Sequence, residues 1–230
     1  MQNIQTTLET PEPFEDFAKD VEVHRGFADY LFSRPIERGD ETNNSTKYEL
    51  ITKVLEEVFS YNKDGRDYTD YSLYVTGHSL GAALSQILAF TLAGSETGKR
   101  IIPSKNPITA LTYASPECGT DSYRNAFNKL EKENQLRHLR VSNHGDAVPN
   151  LISSVFRFSD WTQPGVNIHI YTDKKADIGY NASIRYWFNP FQLILKHSPL
   201  EYRRNLLEKA LNDNILEKST EDFYSEYASK

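Results

Sequence analysis

The stretch LYVTGHSLGAALSQILAF, residues 73–90, decides the fold of this chain. Its first part is rich in β-branched and aromatic residues, which favour a strand, and its last part is rich in alanine and leucine, which favour a helix. Between them stands the pattern Gly-x-Ser-x-Gly, with Ser79 at its centre. Glycines on both sides let a strand and a helix approach closely around a sharp turn. Such a turn either exposes Ser79 as a nucleophile or joins two elements of an ordinary α/β protein.

Strand and helix patterns alternate on both sides of this stretch. Strands are predicted at 71–76, 108–114, 138–142 and 167–171, and helices from 46, at 81–93, at 122–133 and from 199. The helix from 46 begins with a capping box, Thr46 with Glu49, and carries a face predicted to point into the core: Leu50, Ile51, Val54, Leu55, Val58 and Phe59. This alternation predicts one α/β domain with a mostly parallel sheet and flanking helices.

The composition excludes several classes of protein. The chain has 230 residues, 38% of them hydrophobic and 25% charged, with a formal net charge of −6. It has no long basic run, so nucleic acid is not expected as a partner. It has no signal-peptide core and no segment of transmembrane length, which favours a cytoplasmic location, although a leader before Met1 would not be visible. Cys118 is the only cysteine, which excludes an intrachain disulfide and predicts a buried thiol.

A serine nucleophile needs a base, and the base needs an acid that orients it. In α/β-hydrolases the acid and then the histidine follow the serine along the chain. Asp146 comes after the third predicted strand and is the candidate acid, the alternative being a turn aspartate that bonds its own backbone. His197, on a turn before the last helix, is the candidate base, and His169 competes with it. Four other histidines complete the set, of which the first three are expected to be structural: His24, His78, His138 and His144.

Five segments, in order and spacing, resemble the fungal-type, or class 3, lipase family. They are VHRGF at 23–27, VTGHSLGAAL at 75–84, YASPECG at 113–119, RVSNHGDAVPNL at 140–151 and HSPLEY at 197–202. The resemblance implies an α/β-hydrolase fold and the hydrolysis of carboxylic esters of lipids, as in a triacylglycerol lipase. It places a catalytic triad on Ser79, Asp146 and His197 and an oxyanion donor on the Leu80 N–H, with no metal and no organic cofactor.

The N-terminal residues depart from the family pattern. Family members carry, before the VHxGF segment, a strand ending in Arg-Gly-Thr or Arg-Gly-Ser that supplies a second oxyanion donor, and then a lid helix. Residues 1–22 contain neither. We therefore expect an N-terminally incomplete α/β-hydrolase domain at 23–230, preceded by a polar lead-in at 1–22. In that lead-in Phe14 and Phe17 belong either to a remnant of the lid or to a short surface helix.

Several functional alternatives stay open on the sequence alone. A phospholipase, a galactolipase or an acyltransferase would use the same triad, because loops select the head group and the acceptor. A catalytically impaired domain that binds lipid or a protein partner would fit the absence of the oxyanion strand. The aromatic block RYWFNPFQLILK, at 185–196, predicts either peripheral contact with a lipid interface or a packed segment under the final helix.

Overall fold

The computed structural model describes residues 8–34, 44–60, 70–102, 105–152, 160–171, 176–180 and 193–213. The strands in chain order are β1 Leu8–Glu9, β2 Val23–His24, β3 Tyr74–His78, β4 Ile108–Tyr113, β5 Gly119–Thr120, β6 Leu136–Asn143, β7 Trp161–Thr162, β8 Val166–Ile170 and β9 Ala176–Tyr180. The helices are α1 Arg25–Phe32, α2 Lys47–Ser60, α3 Leu80–Gly94, α4 Glu96–Ile101, α5 Asp121–Lys132, α6 Leu193–His197 and α7 Pro199–Asp213. Single 3₁₀ turns occur at Glu12–Phe14 and Val148–Asn150.

The main sheet has the strand order β3-β4-β6-β8-β9. Its first four strands are parallel, and β9 pairs antiparallel with β8. This confirms the predicted α/β fold with a mostly parallel sheet. In the part of the chain that the structure describes, β3 forms one edge of this sheet. A second, small antiparallel sheet has the order β1-β2-β5-β7.

The core lies between the main sheet and α3. Because α3 is apolar on every side, it can be buried all round, with β3 and β4 on one side and α1, α4 and α5 on others. The Phe90 ring lies at its centre and packs against Tyr123 and Phe127, at centroid distances of 5.1 and 5.8 Å. On the opposite face of the sheet, Tyr202 and Leu206 of α7 pack against Val141 and Ile170. The carboxyl ends of the strands are thus flanked by α3 and α7.

Residues 8–22, predicted as a polar lead-in, contribute to this core. Phe14, Ala18 and Val21 are buried, and the Phe14 ring lies 5.2 Å from that of Phe90. These contacts join the segment to the packing of the domain. The division of the chain at residue 22 and the assignment of this segment to a lid stay predictions.

The prediction of which α2 residues face the core is only half correct. Its capping box is confirmed, because the Thr46 N–H donates to a Glu49 carboxylate oxygen and the Glu49 N–H donates to Thr46 Oγ1, at 2.7 and 3.0 Å. Tyr48 and Thr52 are buried, and Leu55 and Phe59 pack on the core. Three residues predicted to be buried are instead more than 40% exposed: Leu50, Val54 and Val58. The six apolar positions cover a wider arc of the helix than α1 and α4 can cover.

Other differences from the sequence prediction concern short or polar elements. The nucleophile strand is Tyr74–His78 rather than 71–76, so it continues into the Gly-x-Ser-x-Gly pattern. Neither β9, nor α4, nor the two-residue strands of the small sheet were predicted. Cys118 is buried, as predicted. Most of the aromatic block, including Trp187, Phe188 and Phe191, lies outside the described residues.

Candidate active site

Ser79 occupies the turn between β3 and α3 in a backbone conformation that non-glycine residues rarely adopt. Its φ is 58° and its ψ is −125°. The Ser79 N–H donates to the Tyr113 carbonyl of β4 at 3.0 Å, and the Ser79 carbonyl accepts from the N–H groups of Ala82 and Ala83. These bonds hold the strained turn from both sides. The hydroxyl of Ser79 therefore stands at the carboxyl end of the sheet.

The strand and the helix meet so closely at this turn that Gly77 has no room for a side chain. A Cβ on Gly77 would overlap the Gly81 carbonyl oxygen and lie 2.7 Å from Ser85 Oγ. The same oxygen of Gly81 accepts a hydrogen bond from Ser85 Oγ at 2.7 Å, which fixes it in place. A Cβ on Gly81, by contrast, would meet no atom within 4 Å. Only the first glycine of the pattern is therefore required by packing.

The structure brings Ser79, His197 and Asp146 together in the order that proton transfer requires. Ser79 Oγ lies 2.7 Å from His197 Nε2. On the other side of the ring, His197 Nδ1 lies 3.0 and 3.2 Å from the two carboxylate oxygens of Asp146. The Asp146 side chain is wholly buried, while the His197 side chain is 21% exposed. The arrangement can draw the hydroxyl proton onto His197 and hold the resulting imidazolium beside a carboxylate.

Tyr202 of α7 holds the acid in place. Its hydroxyl donates to Asp146 Oδ2 at 2.7 Å and accepts from the Asn143 N–H at 3.0 Å. The Val148 N–H donates to Asp146 Oδ1, also at 3.0 Å. A phenol anchored to the end of β6 and a backbone amide thus complete the bonding of a buried carboxylate, which would otherwise be costly.

Tyr202→Phe is expected to destabilise the domain by about 1–3 kcal/mol, because the change removes the acceptor of the buried Asn143 N–H and one of the two partners of Asp146 Oδ2. The free energy of unfolding from urea denaturation measures the effect. Tyr74→Phe is the matched control, since Tyr74 is half-exposed on β3 and its change should cost little. Equal stability of Tyr202→Phe and wild type would contradict the role given to this hydroxyl.

The competing histidines lie in other surroundings. His169 is buried on β8, where its Nδ1 lies 2.9 Å from Ser142 Oγ. His138 is buried within β6, and its Nε2 lies 2.9 Å from Thr112 Oγ1. Burial, together with nearby His144, lowers the pKa of His169 to about 4. Burial, together with the charge of Arg140, holds the pKa of His138 well below its ordinary value.

These two buried histidines predict a loss of stability on mild acidification. In the unfolded chain, each histidine is protonated when the pH falls below the ordinary histidine pKa of about 6.5. In the folded chain, His169 stays neutral until about pH 4. The unfolded state therefore binds more protons between these values, and stability should fall by about 1 kcal/mol per pH unit through His169, with a further loss from His138. Urea denaturation at pH 7, 6 and 5 measures the slope. His169→Gln should flatten it, and an unchanged slope in that variant would contradict the assignment.

Two residues of the site were not identified from the sequence. Tyr202 was not singled out as a site residue, although it stands five residues after His197, where the first turn of α7 brings it back to Asp146. His78 was expected to be structural, yet its Nε2 lies 2.8 Å from the carbonyl oxygen of His197. Its position directly before the nucleophile was the available signal.

Exposed leucines lie close to the triad residues along the chain. Four of them, each 42% to 73% exposed, stand within five residues of a triad member along the chain: Leu80, Leu151, Leu195 and Leu200. Leu80 is the first residue of α3, so its N–H is one of the donors that have no partner inside the helix. The site thus combines a serine nucleophile and an amide donor at a helix N-terminus, with exposed leucines nearby along the chain.

The described ranges hold no group of three or more His, Cys, Asp or Glu side chains that could bind a metal ion. Within the same ranges, no helix has the length and apolar character needed to cross a bilayer.

Comparison with known proteins gives one family. The family model for class 3 lipases matches residues 1–156, a range that contains Ser79 and Asp146. Phospholipase A1-II 3 of Oryza sativa subsp. japonica is 29% identical over 174 residues, covering 73% of this chain and 37% of that protein. Phospholipase A1-II 6 of the same subspecies is 34% identical over 140 residues, covering 58% of this chain and 32% of that protein. The chain thus spans about a third of the length of these curated relatives.

Solved structures share the fold. A triacylglycerol lipase from Penicillium expansum superposes with a TM-score of 0.55 at 19% identity, covering 77% of this chain and 58% of the other. A triacylglycerol lipase described as having a serine protease triad at its catalytic centre also gives a TM-score of 0.55, at 20% identity, covering 85% of this chain and 63% of the other. At this level of identity, the likeness establishes the α/β-hydrolase fold.

Proposed function

Because the chain belongs to the class 3 lipase family, we propose that it is a serine ester hydrolase that acts on lipids, with Ser79, His197 and Asp146 as its catalytic triad. The observation that carries the proposal is the continuous hydrogen-bonded chain from Ser79 Oγ through the His197 ring to Asp146. Each contact lies within hydrogen-bond distance, as general-base activation of a hydroxyl requires.

The reaction follows from this geometry. Ser79 Oγ attacks the acyl carbonyl while His197 Nε2 accepts its proton, and Asp146 stabilises the imidazolium from the other side. The Leu80 N–H donates to the oxyanion that develops on the carbonyl oxygen. His197 then gives its proton to the leaving alcohol, which leaves an acyl group on Ser79. Water, activated by the same histidine, attacks this acyl-enzyme and releases the fatty acid.

The exposed leucines near the triad support a lipid as the substrate. Four exposed leucines lie near members of the triad along the chain, and contact with an apolar ligand would remove their surface from water. A long acyl chain, or the surface of a lipid aggregate, supplies such contact. We therefore propose a carboxylic ester of a lipid, with the scissile carbonyl at Ser79 and its acyl chain among these leucines.

A glycerophospholipid is the second candidate substrate beside a triacylglycerol. Two plant relatives of this chain carry the name phospholipase A1, which describes release of a fatty acid from a phospholipid. The triad serves both substrates equally, because the chemistry at the ester is the same and the head group is selected elsewhere.

Hydrolysis of defined lipids tests the function and separates the two substrates. Phosphatidylcholine vesicles and a trioctanoylglycerol emulsion are each incubated with wild type and with Ser79→Ala, and the released fatty acids are measured by mass spectrometry. We expect release by wild type and a loss of more than about 10³-fold in Ser79→Ala. Release from vesicles alone would favour the phospholipase. Absence of Ser79-dependent release from both lipids, in a folded sample, would favour a catalytically impaired domain that binds lipid or a protein partner.

A further inference from the structure

His78 connects the nucleophile strand to the backbone of the candidate base. It directly precedes Ser79 at the end of β3, and its Nε2 lies 2.8 Å from the carbonyl oxygen of His197. A carbonyl oxygen only accepts hydrogen bonds, so Nε2 must carry the proton and donate. The bond therefore spans the two segments whose separation sets the distance from Ser79 Oγ to His197 Nε2.

The carbonyl that His78 binds needs a partner from outside its own helix. His197 is the last residue of α6, and the last carbonyl groups of a helix accept no hydrogen bond from an N–H of the same helix. In the neighbouring backbone hydrogen bonds, the Ser198 N–H donates to the Leu195 carbonyl and the Glu201 N–H donates to the Ser198 carbonyl. The bond from His78 thus holds the backbone of His197, while Asp146 holds its side chain.

Ring packing supports the same contact. The His78 ring lies 4.7 Å from the His197 ring at an interplanar angle of 40°, and 5.7 Å from the Tyr202 ring at 79°. His78 also lines an apolar cavity of about 350 Å³ beside α7, so its ring is not packed against protein on that side. The ring is therefore fixed by its bond to His197 and by two neighbouring rings rather than by close packing on every side.

The surroundings of His78 favour its neutral form, chiefly through burial. Burial is the main cause that lowers its pKa, and the neighbouring His197 lowers the pKa further, whereas Asp146 acts in the opposite direction. Tyr113 of β4 and Arg203 of α7 line the same cavity. A neutral ring can donate to the His197 carbonyl without placing a second positive charge beside the imidazolium that forms during the reaction.

We propose that His78 is a positioning residue for the base, holding the backbone of His197 at the distance that places Nε2 within reach of Ser79. The expected effect of this bond on the reaction rate rests on the proposed function. Its effect on the position of the His197 backbone does not. A displacement of about 1 Å in a catalytic group can cost about 10²-fold in rate, so the loss of this bond should be measurable.

Two substitutions separate the bond from the ring. His78→Phe keeps an aromatic ring but removes the donor, whereas His78→Gln restores an N–H donor at the same number of bonds from the backbone. His24→Phe is the matched control, because His24 is also partly buried and makes one side-chain bond to a backbone group, accepting from the Gly26 N–H at the start of α1. Each variant is measured for its rate of labelling by a fluorophosphonate and for amide hydrogen exchange in peptides covering residues 193–202.

We expect His78→Phe to label about 10- to 100-fold more slowly than wild type and to exchange faster in these peptides. We expect His78→Gln to label within about fivefold of wild type, and His24→Phe to match wild type in both measurements. Unchanged exchange in His78→Phe, or an equal slowing in His78→Phe and His78→Gln, would overturn the inference even if wild type labels normally. Faster exchange in His78→Phe together with no labelling of wild type would instead support the contact and contradict the proposed function.

Discussion

Asp146→Asn is expected to lower ester turnover by about 10⁴-fold while the domain stays folded. Asparagine has nearly the same shape as aspartate, so its amide oxygen can still accept from the Val148 N–H, while the N–H₂ takes the place of the oxygen that accepts from Tyr202. It carries no charge, however, and its amide N–H₂ can face His197 Nδ1. That contact favours the tautomer with the proton on Nε2, which cannot accept the proton of Ser79.

The measurement is the turnover number for a soluble p-nitrophenyl ester, with thermal unfolding as the test of folding. Asp177→Asn is the matched control, because the carboxylate of Asp177 also accepts a hydrogen bond from a tyrosine, Tyr171, at 2.8 Å, but on β9. It should turn over at the wild-type rate. Turnover by Asp146→Asn within tenfold of wild type would show that Asp146 does not orient the base.

Gly77→Ala is expected to abolish activity and to destabilise the domain by several kcal/mol, or to prevent folding. The added methyl group would overlap the backbone of Gly81 at the first turn of α3, which cannot move without displacing Ser79. The clash is with a carbonyl group already bonded to Ser85, so no side-chain rotation relieves it.

Gly81→Ala provides the control within the same five-residue pattern. Its Cβ would meet open space, and alanine is the better helix former by about 1 kcal/mol. Gly81→Ala should therefore unfold at the same temperature as wild type or higher. Similar losses of stability in the two variants would contradict the close approach of strand and helix at Gly77.

How much of the site the sequence predicts depends on how local each contact is. Ser79 is predictable because the turn, its glycines and the flanking elements lie within 18 residues. Asp146 and His197 are predictable as candidates because the order of a parallel α/β sheet brings the carboxyl ends of its strands together. The choice between His197 and His169 follows from burial, since β8 places His169 inside the domain beside Ser142.

Other contacts depend on packing that periodicity does not describe. Tyr202 belongs to an apolar stripe on α7, so its helical spacing predicts burial but not the bond that its hydroxyl makes to Asp146. Helix α2 shows the opposite error, because its apolar pattern is wider than the surface available to cover it. The two-residue strands of the small sheet are too short to produce an alternating pattern.

The geometry also explains why α7 matters for the site. Pro199 begins α7 directly after the base, Tyr202 on its first turn binds the acid, and Leu206 on its second turn packs on the sheet. One helix thus fixes the base and the acid relative to the same strands. His78 fixes the base relative to the nucleophile from the opposite side.

Covalent labelling of Ser79 tests the central claim most directly. The purified protein is treated with a fluorophosphonate, digested, and mapped by mass spectrometry, alongside Ser79→Ala and His197→Phe. The account predicts one adduct on Ser79, none at this position in Ser79→Ala, and labelling at least about 10³-fold slower in His197→Phe. A folded wild-type sample without an adduct on Ser79, or labelling at the same rate in His197→Phe, would contradict it.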